Sequence, residues 1–275
     1  MHHFLSTLSF HPLIVEAVAN LSFDRSESVF NDLDAYNNLS PLERFEASYQ
    51  SLPFLLASYR QLNIEEQIIH DTLQDLNYRT MKYYKQHQAL GLDAKDSKWL
   101  NLLFQAQIFK IGSLRFQKFP LDYQEIEREG IDAMPLDDSI KKRFPENTPM
   151  INVHIETATD FSQTAVTHAF QKAQSFFEKT FPDYQAQYFI CRTWLLHPSI
   201  NRLLKENSNI FQFKERFKII ATSPNYTQAL QRIYGTDNLD QIALQDKKTS
   251  LQKQAFVNYQ SLGVACGVIK IEREP

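Results

Sequence analysis

Three polar residues, Asn152, His154 and Glu156, alternate with apolar residues in the stretch 151–156. Alternate side chains of a β-strand point to opposite faces, so this spacing places all three on one face. An imidazole and a carboxylate are the groups that most often accept protons in general acid–base catalysis. A second interpretation remains open, in which His154 is a hydrogen-bonded structural histidine and Glu156 is an exposed strand end.

The elements that must position these side chains are predicted from hydrophobic periodicity. A strand at 151–156 precedes a helix at 162–180, whose apolar stripe is wide enough to pack flat on a sheet. A second alternating stretch at 188–196 predicts the next strand. The helix start near Thr159 and Ser162 would present backbone amides of the kind that bind phosphate. This half is therefore predicted to be α/β or α+β.

The first hundred residues carry helical signals. Ser40 followed by Pro41 predicts a helix start, and Pro53 is expected to kink or divide the helical run 42–62. Further helices are predicted at 65–90, ended by Gly91, and from about 97 to 104. Short strands follow at 108–111 and 114–119. We expect a helical N-terminal region over 1–125, ending in a β-hairpin or strand, and an α/β domain over 126–275.

The stretch 120–149 is rich in proline and acidic residues. One interpretation is a solvated connection with a short helix near 139–144. The other is a mobile cover over a site.

Composition excludes several classes of function. The 275 residues have a formal net charge of -3, which gives no electrostatic basis for binding nucleic acid. No apolar stretch is long enough to span a membrane and no signal sequence is apparent, so a cytoplasmic protein is expected. Cys191 and Cys266 are expected to remain thiols. Four residues that could bind a metal have no recognised ligand spacing, and no metal is predicted: His154, Glu156, His168 and His197.

Several short motifs, in this order, resemble one bacterial family. They lie at 71–76, 98–100, 108–116, 153–155, 176–177, 191–196, 208–210 and 249–252. The family has an N-acyltransferase N-terminal region followed by a GNAT-like C-terminal domain. The resemblance implies a helical N-terminal layer followed by a mixed sheet with packed helices. It also implies transfer of an acyl group from acetyl-CoA or another acyl-CoA to an amine on a small-molecule acceptor.

The resemblance also implies roles for particular residues. Glu156 and His154 would supply the base, and Tyr188 the acid for the leaving thiolate. Ile155, Thr159 and Ser162 are expected to contact the cofactor, with a backbone amide of the central strand meeting the oxyanion. Four residues are expected near the substrate: Asn152, Cys191, Trp194 and Asn209. Cys191 could also act as a covalent nucleophile with His154 or His197, although a buried thiol is the simpler interpretation.

One departure from the GNAT pattern supports an alternative. The residues after Ile155 contain no glycine and include the carboxylates of Glu156 and Asp160, which would repel a pyrophosphate. A non-catalytic ligand-binding or scaffold protein with a degenerate GNAT-like fold is therefore the second hypothesis.

Overall fold

Capped helices dominate the first of two units into which the chain divides, 1–111 and 112–275. The computed structural model describes residues 2–22 and 27–272. The elements of the first unit are α1 (His2–Thr7), α2 (Pro12–Ala19), α3 (Leu33–Asn38), α4 (Pro41–Gln50), α5 (Leu52–Gln61), α6 (Glu66–His87), α7 (Ser97–Phe104) and β1 (Ile108–Ile111). Short 3₁₀ turns occupy Val29–Asn31 and Ala94–Asp96.

The predicted helix start at Ser40 is confirmed. Ser40 accepts a hydrogen bond from the backbone of Glu43, and the Glu43 carboxylate accepts one from the backbone of Ser40. The helical run is divided at Ser51, so that Pro53 lies in the first turn of α5, where its missing N–H costs nothing. The predicted stop at Gly91 is wrong, because Gln88 ends α6 in a left-handed conformation with φ 53°.

Buried tyrosines fill the interior of the first unit. Tyr36, Tyr49 and Tyr59 are fully buried, and each hydroxyl forms a hydrogen bond there. Their respective partners are Ser48 Oγ at 3.1 Å, Thr80 Oγ1 at 3.1 Å and the carbonyl of Leu103 at 3.2 Å. Each tyrosine therefore buries a large apolar ring without leaving a polar atom unsatisfied.

A mixed sheet organises the second unit. Its strands are β2 (Leu114–Pro120), β3 (Pro149–His154), β4 (Tyr188–Thr193), β5 (Lys218–Ser223) and β6 (Val264–Lys270), and within this unit they lie in the order β2-β3-β4-β6-β5. The β3–β4 pair is parallel, whereas β2–β3, β4–β6 and β5–β6 are antiparallel. The parallel pair is joined by a long helical crossover, as such a connection requires.

The helices of the second unit are α8 (Tyr123–Arg128), α9 (Asp138–Arg143), α10 (Gln163–Thr180), α11 (Asn209–Lys214), α12 (Thr227–Tyr234), α13 (Leu239–Leu244) and α14 (Ser250–Val257). Turns of 3₁₀ helix occupy Trp194–Leu196, Pro198–Arg202 and Tyr259–Ser261. The second predicted strand is therefore shorter than expected, because the chain turns after Thr193. The prediction also missed α12 and α13.

The stretch 120–149 is not the solvated connection that its composition suggested. Ile126, Met134 and Phe144 are each at most 1% exposed and pack into the core of the second unit. Most of its acidic residues are exposed, whereas Glu125 and Asp132 are half-buried and pair with an arginine of β4. The polar composition therefore describes mainly the outer side of this segment. A packed cover over part of the sheet describes it better.

The structural units also refine the predicted domain boundary. The sequence predicts that the strand at 114–119 belongs to an N-terminal region that ends at residue 125. In the structure β2 pairs with β3 from Arg115–His154 to Pro120–Pro149, and it belongs to the second unit. Within the described residues, no helix combines the length and the apolar character needed to cross a bilayer.

Candidate functional site

Strand register brings polar side chains of three strands onto one face of the sheet. Arg115 pairs with His154 and Gln117 with Asn152, while Asn152 pairs with Ile190 of β4. Because paired residues share a face, Arg192 of β4 lies on the same face as these side chains. We call this set the polar cluster: Arg115, Gln117, Asn152, His154, Arg192 and, just beyond β3, Glu156.

Gln117 connects the two strands at the centre of the polar cluster. Its Oε1 atom accepts a hydrogen bond from His154 Nε2 at 2.7 Å and from Asn152 Nδ2 at 3.4 Å. Gln117 is 7% exposed and Asn152 is 4% exposed. Buried amides need such partners, because an unsatisfied polar group in the interior costs about 1–3 kcal/mol.

Two arginines carry the positive charge of the cluster, and each is paired with acidic groups. Arg115 Nε forms an ion pair with the carboxylate of Glu156. Arg192 Nη2 binds the Glu125 carboxylate at 2.6 Å, and its Nη1 donates to the Glu125 carbonyl at 3.0 Å. Asp132 lies 3.6 Å from Arg192 Nε. The segment that carries α8 is thereby tied to β4 at the edge of the cluster.

The cluster keeps His154 uncharged. Burial lowers the pKa of His154 to about 3, and the positive charges of Arg192 and Arg115 act in the same direction. The negative charge of Glu156 opposes them. For Glu125, burial raises the pKa, whereas the charge of Arg192 lowers it. At neutral pH His154 is therefore a neutral imidazole between two guanidinium groups, able to donate one hydrogen bond and to accept another.

The central parallel pair of strands separates beside His154. Pairing of β3 with β4 runs only from Met150–Tyr188 to Asn152–Ile190. β3 remains paired with β2 as far as His154, and β4 remains paired with β6 as far as Thr193. The two strands thus part after Asn152 while each keeps its other neighbour.

The loop between β3 and α10 is closed by its own hydrogen bonds. Thr159 Oγ1 binds the backbone N–H and carbonyl of Glu156. Ser162 Oγ accepts from the amide of Ala165, and Asp160 accepts from the amide of Ser162. The hydroxyls of Thr159 and Ser162, which the sequence analysis assigned to cofactor binding, therefore have partners within the loop. Ala158, with φ 64°, adopts the left-handed conformation that usually calls for glycine.

Arg216 adds a positive charge at the start of α10. Its Nη2 donates to Gln163 Oε1 and Thr167 Oγ1, both at 2.7 Å. Two further donors here, Arg216 Nε and Gln163 Nε2, are buried and have no hydrogen-bond partner among the described residues. The sequence alone did not identify this cation.

Not every predicted site residue joins the polar cluster. Tyr188 pairs with Met150, four residues before His154, which corresponds to roughly 13 Å along the strand. Its ring packs edge-on against Phe144. The structure therefore does not bring the predicted acid to the predicted base. Ile155 follows β3 and packs, half-buried, against the core.

The three remaining candidates lie elsewhere as well. Cys191 pairs with Gly267 and lies on the opposite face of the sheet from His154, and burial raises the pKa of its thiol, which argues against a nucleophile. Trp194 is buried in the 3₁₀ turn after β4, where its amide donates to Gln228 Oε1 at 2.8 Å. Asn209 is exposed at the first position of α11.

Sequence reasoning missed Arg115, Gln117 and Arg192 as site residues. A usable signal was present, because Arg115 and Gln117 alternate with apolar residues in the predicted strand 114–119. What the sequence did not supply was the register of β2 against β3. That register alone places the two side chains beside His154.

Two other features of the second unit bear on where a ligand or a metal could bind. A cavity of about 900 Å³ near the end of α10 is lined by Ile151, Phe177, Phe181, Tyr184 and neighbouring residues, and it includes no member of the polar cluster. Among the described residues, no group of three or more histidine, cysteine, aspartate and glutamate side chains is arranged to hold a metal ion.

Comparison with known protein families assigns both parts of the chain. Residues 14–106 match the N-acyltransferase N-terminal domain, and residues 108–269 match the GNAT-like C-terminal domain. A search of curated proteins found no match.

Solved structures give the same fold. An acyltransferase in complex with decanoyl-CoA is 16% identical, with a TM-score of 0.70, and the alignment covers 98% of this chain and 87% of that one. An acyltransferase in complex with decanoyl-CoA and teicoplanin is 15% identical with a TM-score of 0.70 and the same coverage. An acyltransferase in complex with CoA and 10C-teicoplanin is 15% identical with a TM-score of 0.71 and the same coverage.

Proposed function

Because the chain belongs to the family with an N-acyltransferase N-terminal domain and a GNAT-like C-terminal domain, we propose that it transfers an acyl group from acyl-CoA to an amine. The observation that carries this proposal is the separation of β3 from β4 beside the neutral imidazole of His154. We infer that this separation gives a ligand access to the backbone of β3. A proton acceptor next to this opening in the sheet supplies what aminolysis of a thioester requires.

The acyl thioester is proposed to lie in this opening. Backbone amides of β3 beyond Asn152 would then meet the oxygen of the tetrahedral intermediate, whose negative charge needs fixed donors. Peptide amides of a strand suit this purpose because the sheet holds them in place before the charge develops. Ile155, which sequence analysis assigned to cofactor contact, lies on this segment.

His154 is the favoured base. The amine nitrogen becomes acidic as it attacks the thioester, and the lone pair of the neutral imidazole is proposed to accept its proton. The negative charge that develops on the thioester oxygen would then offset the two arginines, which lower the pKa of His154 in the free protein. A C–N bond forms, the C–S bond of the thioester breaks, and the proton finally leaves with the CoA thiol. Glu156 is less well placed for this role because its carboxylate is engaged by Arg115. We assign Glu156 the task of holding Arg115 beside the imidazole.

Arg216 is proposed to support the CoA pyrophosphate at the start of α10. Anions bind well at helix N-termini, and α10 is long enough to present a substantial dipole. The carboxylate of Asp160 opposes such binding, and the guanidinium of Arg216 compensates for it. The absence of glycine is less decisive than the sequence suggested, since Ala158 already has a left-handed backbone.

The acceptor is proposed to be an amine on a small molecule. One structurally similar acyltransferase binds teicoplanin, and others bind decanoyl-CoA or octanoyl-CoA. Medium-chain acyl-CoAs are therefore the first donors to test, beside acetyl-CoA. A panel of small amines should be tested as acceptors, and the release of the CoA thiol should be measured for each amine.

Ligand-induced stabilisation tests cofactor binding without knowledge of the acceptor. Acetyl-CoA, octanoyl-CoA and decanoyl-CoA should each be added to the full chain, and the midpoint of thermal unfolding measured. A ligand at about 100 times its Kd adds about 2.7 kcal/mol. Arg216→Met should reduce the shift, while the same change at the exposed Arg232 should not. No stabilisation by any CoA species at millimolar concentration would favour the non-catalytic alternative.

Turnover tests the base. Removal of a general base typically lowers kcat by about 10²–10⁴-fold, and this is the loss expected for His154→Gln. Glu156→Gln should reduce activity less and should keep a dependence on pH, displaced toward lower pH because the charge that favours protonation of His154 is lost. If instead Glu156→Gln abolished the dependence on pH and His154→Gln did not, the two assignments would be reversed.

A further inference from the structure

Gln117 is a side chain that the proposed reaction does not itself use, yet it contacts the proposed base directly. It lies on β2, opposite Asn152, and is 7% exposed. Its Oε1 atom, rather than its amide nitrogen, faces Asn152 Nδ2 and His154 Nε2. The amides of Gln117 and Asn152 are matched, since the oxygen of one meets the nitrogen of the other.

This orientation determines which nitrogen of His154 carries the proton. Oε1 can only accept, so the 2.7 Å hydrogen bond requires a proton on His154 Nε2. A neutral imidazole has one protonated ring nitrogen, and the other holds a lone pair. His154 Nδ1 is then the nitrogen with the lone pair.

The surroundings of His154 keep the imidazole in this neutral form. Arg115 on β2 and Arg192 on β4 oppose a positive charge on the ring, and Glu156 at the end of β3 favours one. Burial adds to the effect of the two arginines. Gln117, which is uncharged, forms its hydrogen bond without altering this balance. A carboxylate at the same position would favour protonation of the ring.

We propose that Gln117 is a positioning residue, which holds His154 in the tautomer protonated at Nε2, so that Nδ1 receives the proton of the attacking amine. The proposal rests on the function proposed above for His154. It assigns Gln117 a role in orientation and none in binding the thioester. The chain of contacts runs from Asn152 through Gln117 to His154.

The tautomer can be measured on the ligand-free protein. Long-range ¹H–¹⁵N correlation spectra of ¹⁵N-histidine-labelled full-length chain distinguish the protonated ring nitrogen from the one with the lone pair, and His154→Gln assigns the signal. Wild type should show His154 protonated at Nε2. Gln117→Met, which removes the acceptor but keeps the length of the side chain, should shift His154 toward a mixture of tautomers.

Two further variants separate positioning from general damage. Gln117→Glu restores an acceptor and should restore the Nε2-protonated form, while raising the pH at which His154 titrates. Gln171→Met makes the matched substitution on the exposed side of α10 and should leave the His154 signals unchanged. In acyl transfer, Gln117→Met should lower kcat at least tenfold with little change in the KM for acyl-CoA.

Two spectroscopic results would overturn the inference: protonation of His154 at Nδ1 in wild type, or identical tautomers in wild type and Gln117→Met. Neither depends on catalysis. If the wild-type chain showed the expected tautomer but transferred no acyl group to any amine, the proposed function would fail. The catalytic role of Gln117 would fail with it, while the hydrogen-bond arrangement would stand.

Discussion

The two faces of the sheet in the second unit are built on different physical principles. The face toward α10 is called the aromatic face. On it Phe116, Phe170 and Phe189 pack edge to face, with ring centroids 4.9–5.8 Å apart. The other face combines an apolar core, which includes Met150 and Ile190, with the polar cluster, in which Gln117, Asn152 and His154 are joined by hydrogen bonds. The same strands supply both faces. Burial of apolar area stabilises the first face, and specific pairing makes the second tolerable in the interior.

The difference predicts where a substitution affects stability and where it affects chemistry. A substitution on the aromatic face should reduce the apolar area that is buried on folding, and it should leave the charges around His154 in place. A change in the polar cluster should alter ionisation and pairing with a smaller loss of packing.

Phe189→Ala tests the aromatic face. Phe189 is 3% exposed and contacts the rings of Phe116 and Phe170, so its truncation should lower the free energy of unfolding by about 3–5 kcal/mol. Urea denaturation measures the loss. Val257→Ala, on a residue that is 77% exposed, should change stability by less than about 0.5 kcal/mol. A loss below about 1 kcal/mol for Phe189→Ala would contradict the packing described here.

Arg192→Met tests the charged edge of the polar cluster. It leaves the half-buried carboxylates of Glu125 and Asp132 without their cation, and we expect a loss of about 3 kcal/mol. Hydrogen exchange in α8 should accelerate, because Arg192 also binds the carbonyl of Glu125. Lys218→Met, on an exposed residue of β5, is the control. Unchanged exchange in α8 would show that packing of Ile126 alone holds this segment.

The pH dependence of stability should come from the polar cluster. The folded-state pKa of His154, about 3, lies below its ordinary value of 6.5. The unfolded chain therefore binds a proton that the folded chain does not, and stability is lost as pH falls from 6.5 toward 3. Between pH 6.5 and 4.5 this amounts to at most about 2.7 kcal/mol.

Urea denaturation at both pH values measures this loss. Wild type should lose about 2–2.5 kcal/mol more than His154→Gln, because the variant lacks the titrating group. Phe189→Ala should retain the full wild-type dependence, since it changes only the aromatic face. Equal losses in wild type and His154→Gln would mean that the imidazole is not held neutral by its surroundings.

The two faces also differ in how far the sequence predicts them. The apolar alternation of Ile151 and Val153 and the stripe on α10 are local patterns, so the strand, the helix and their packing were predictable. The polar cluster depends on pairs such as Arg115–His154, which are distant in sequence and are brought together only by strand register. Tyr188 shows the same dependence on register, since its chemistry suits the predicted role but it pairs with Met150, four residues before His154.

Ser162→Ala is the smallest and most discriminating test, because Ser162 lies between the two interpretations of the loop before α10. The structure gives its hydroxyl a capping role toward the amide of Ala165, and loss of such a cap costs about 1 kcal/mol. If capping is its whole role, decanoyl-CoA should raise the free energy of unfolding of Ser162→Ala by the same amount as that of wild type. Ser162→Gly should then lower the stability of the ligand-free protein less than Ser162→Ala does. A reduced stabilisation by decanoyl-CoA would instead assign the hydroxyl to cofactor binding, as the sequence suggested. The aromatic face provides the reference, since Phe189→Ala lowers the starting stability further without touching this loop.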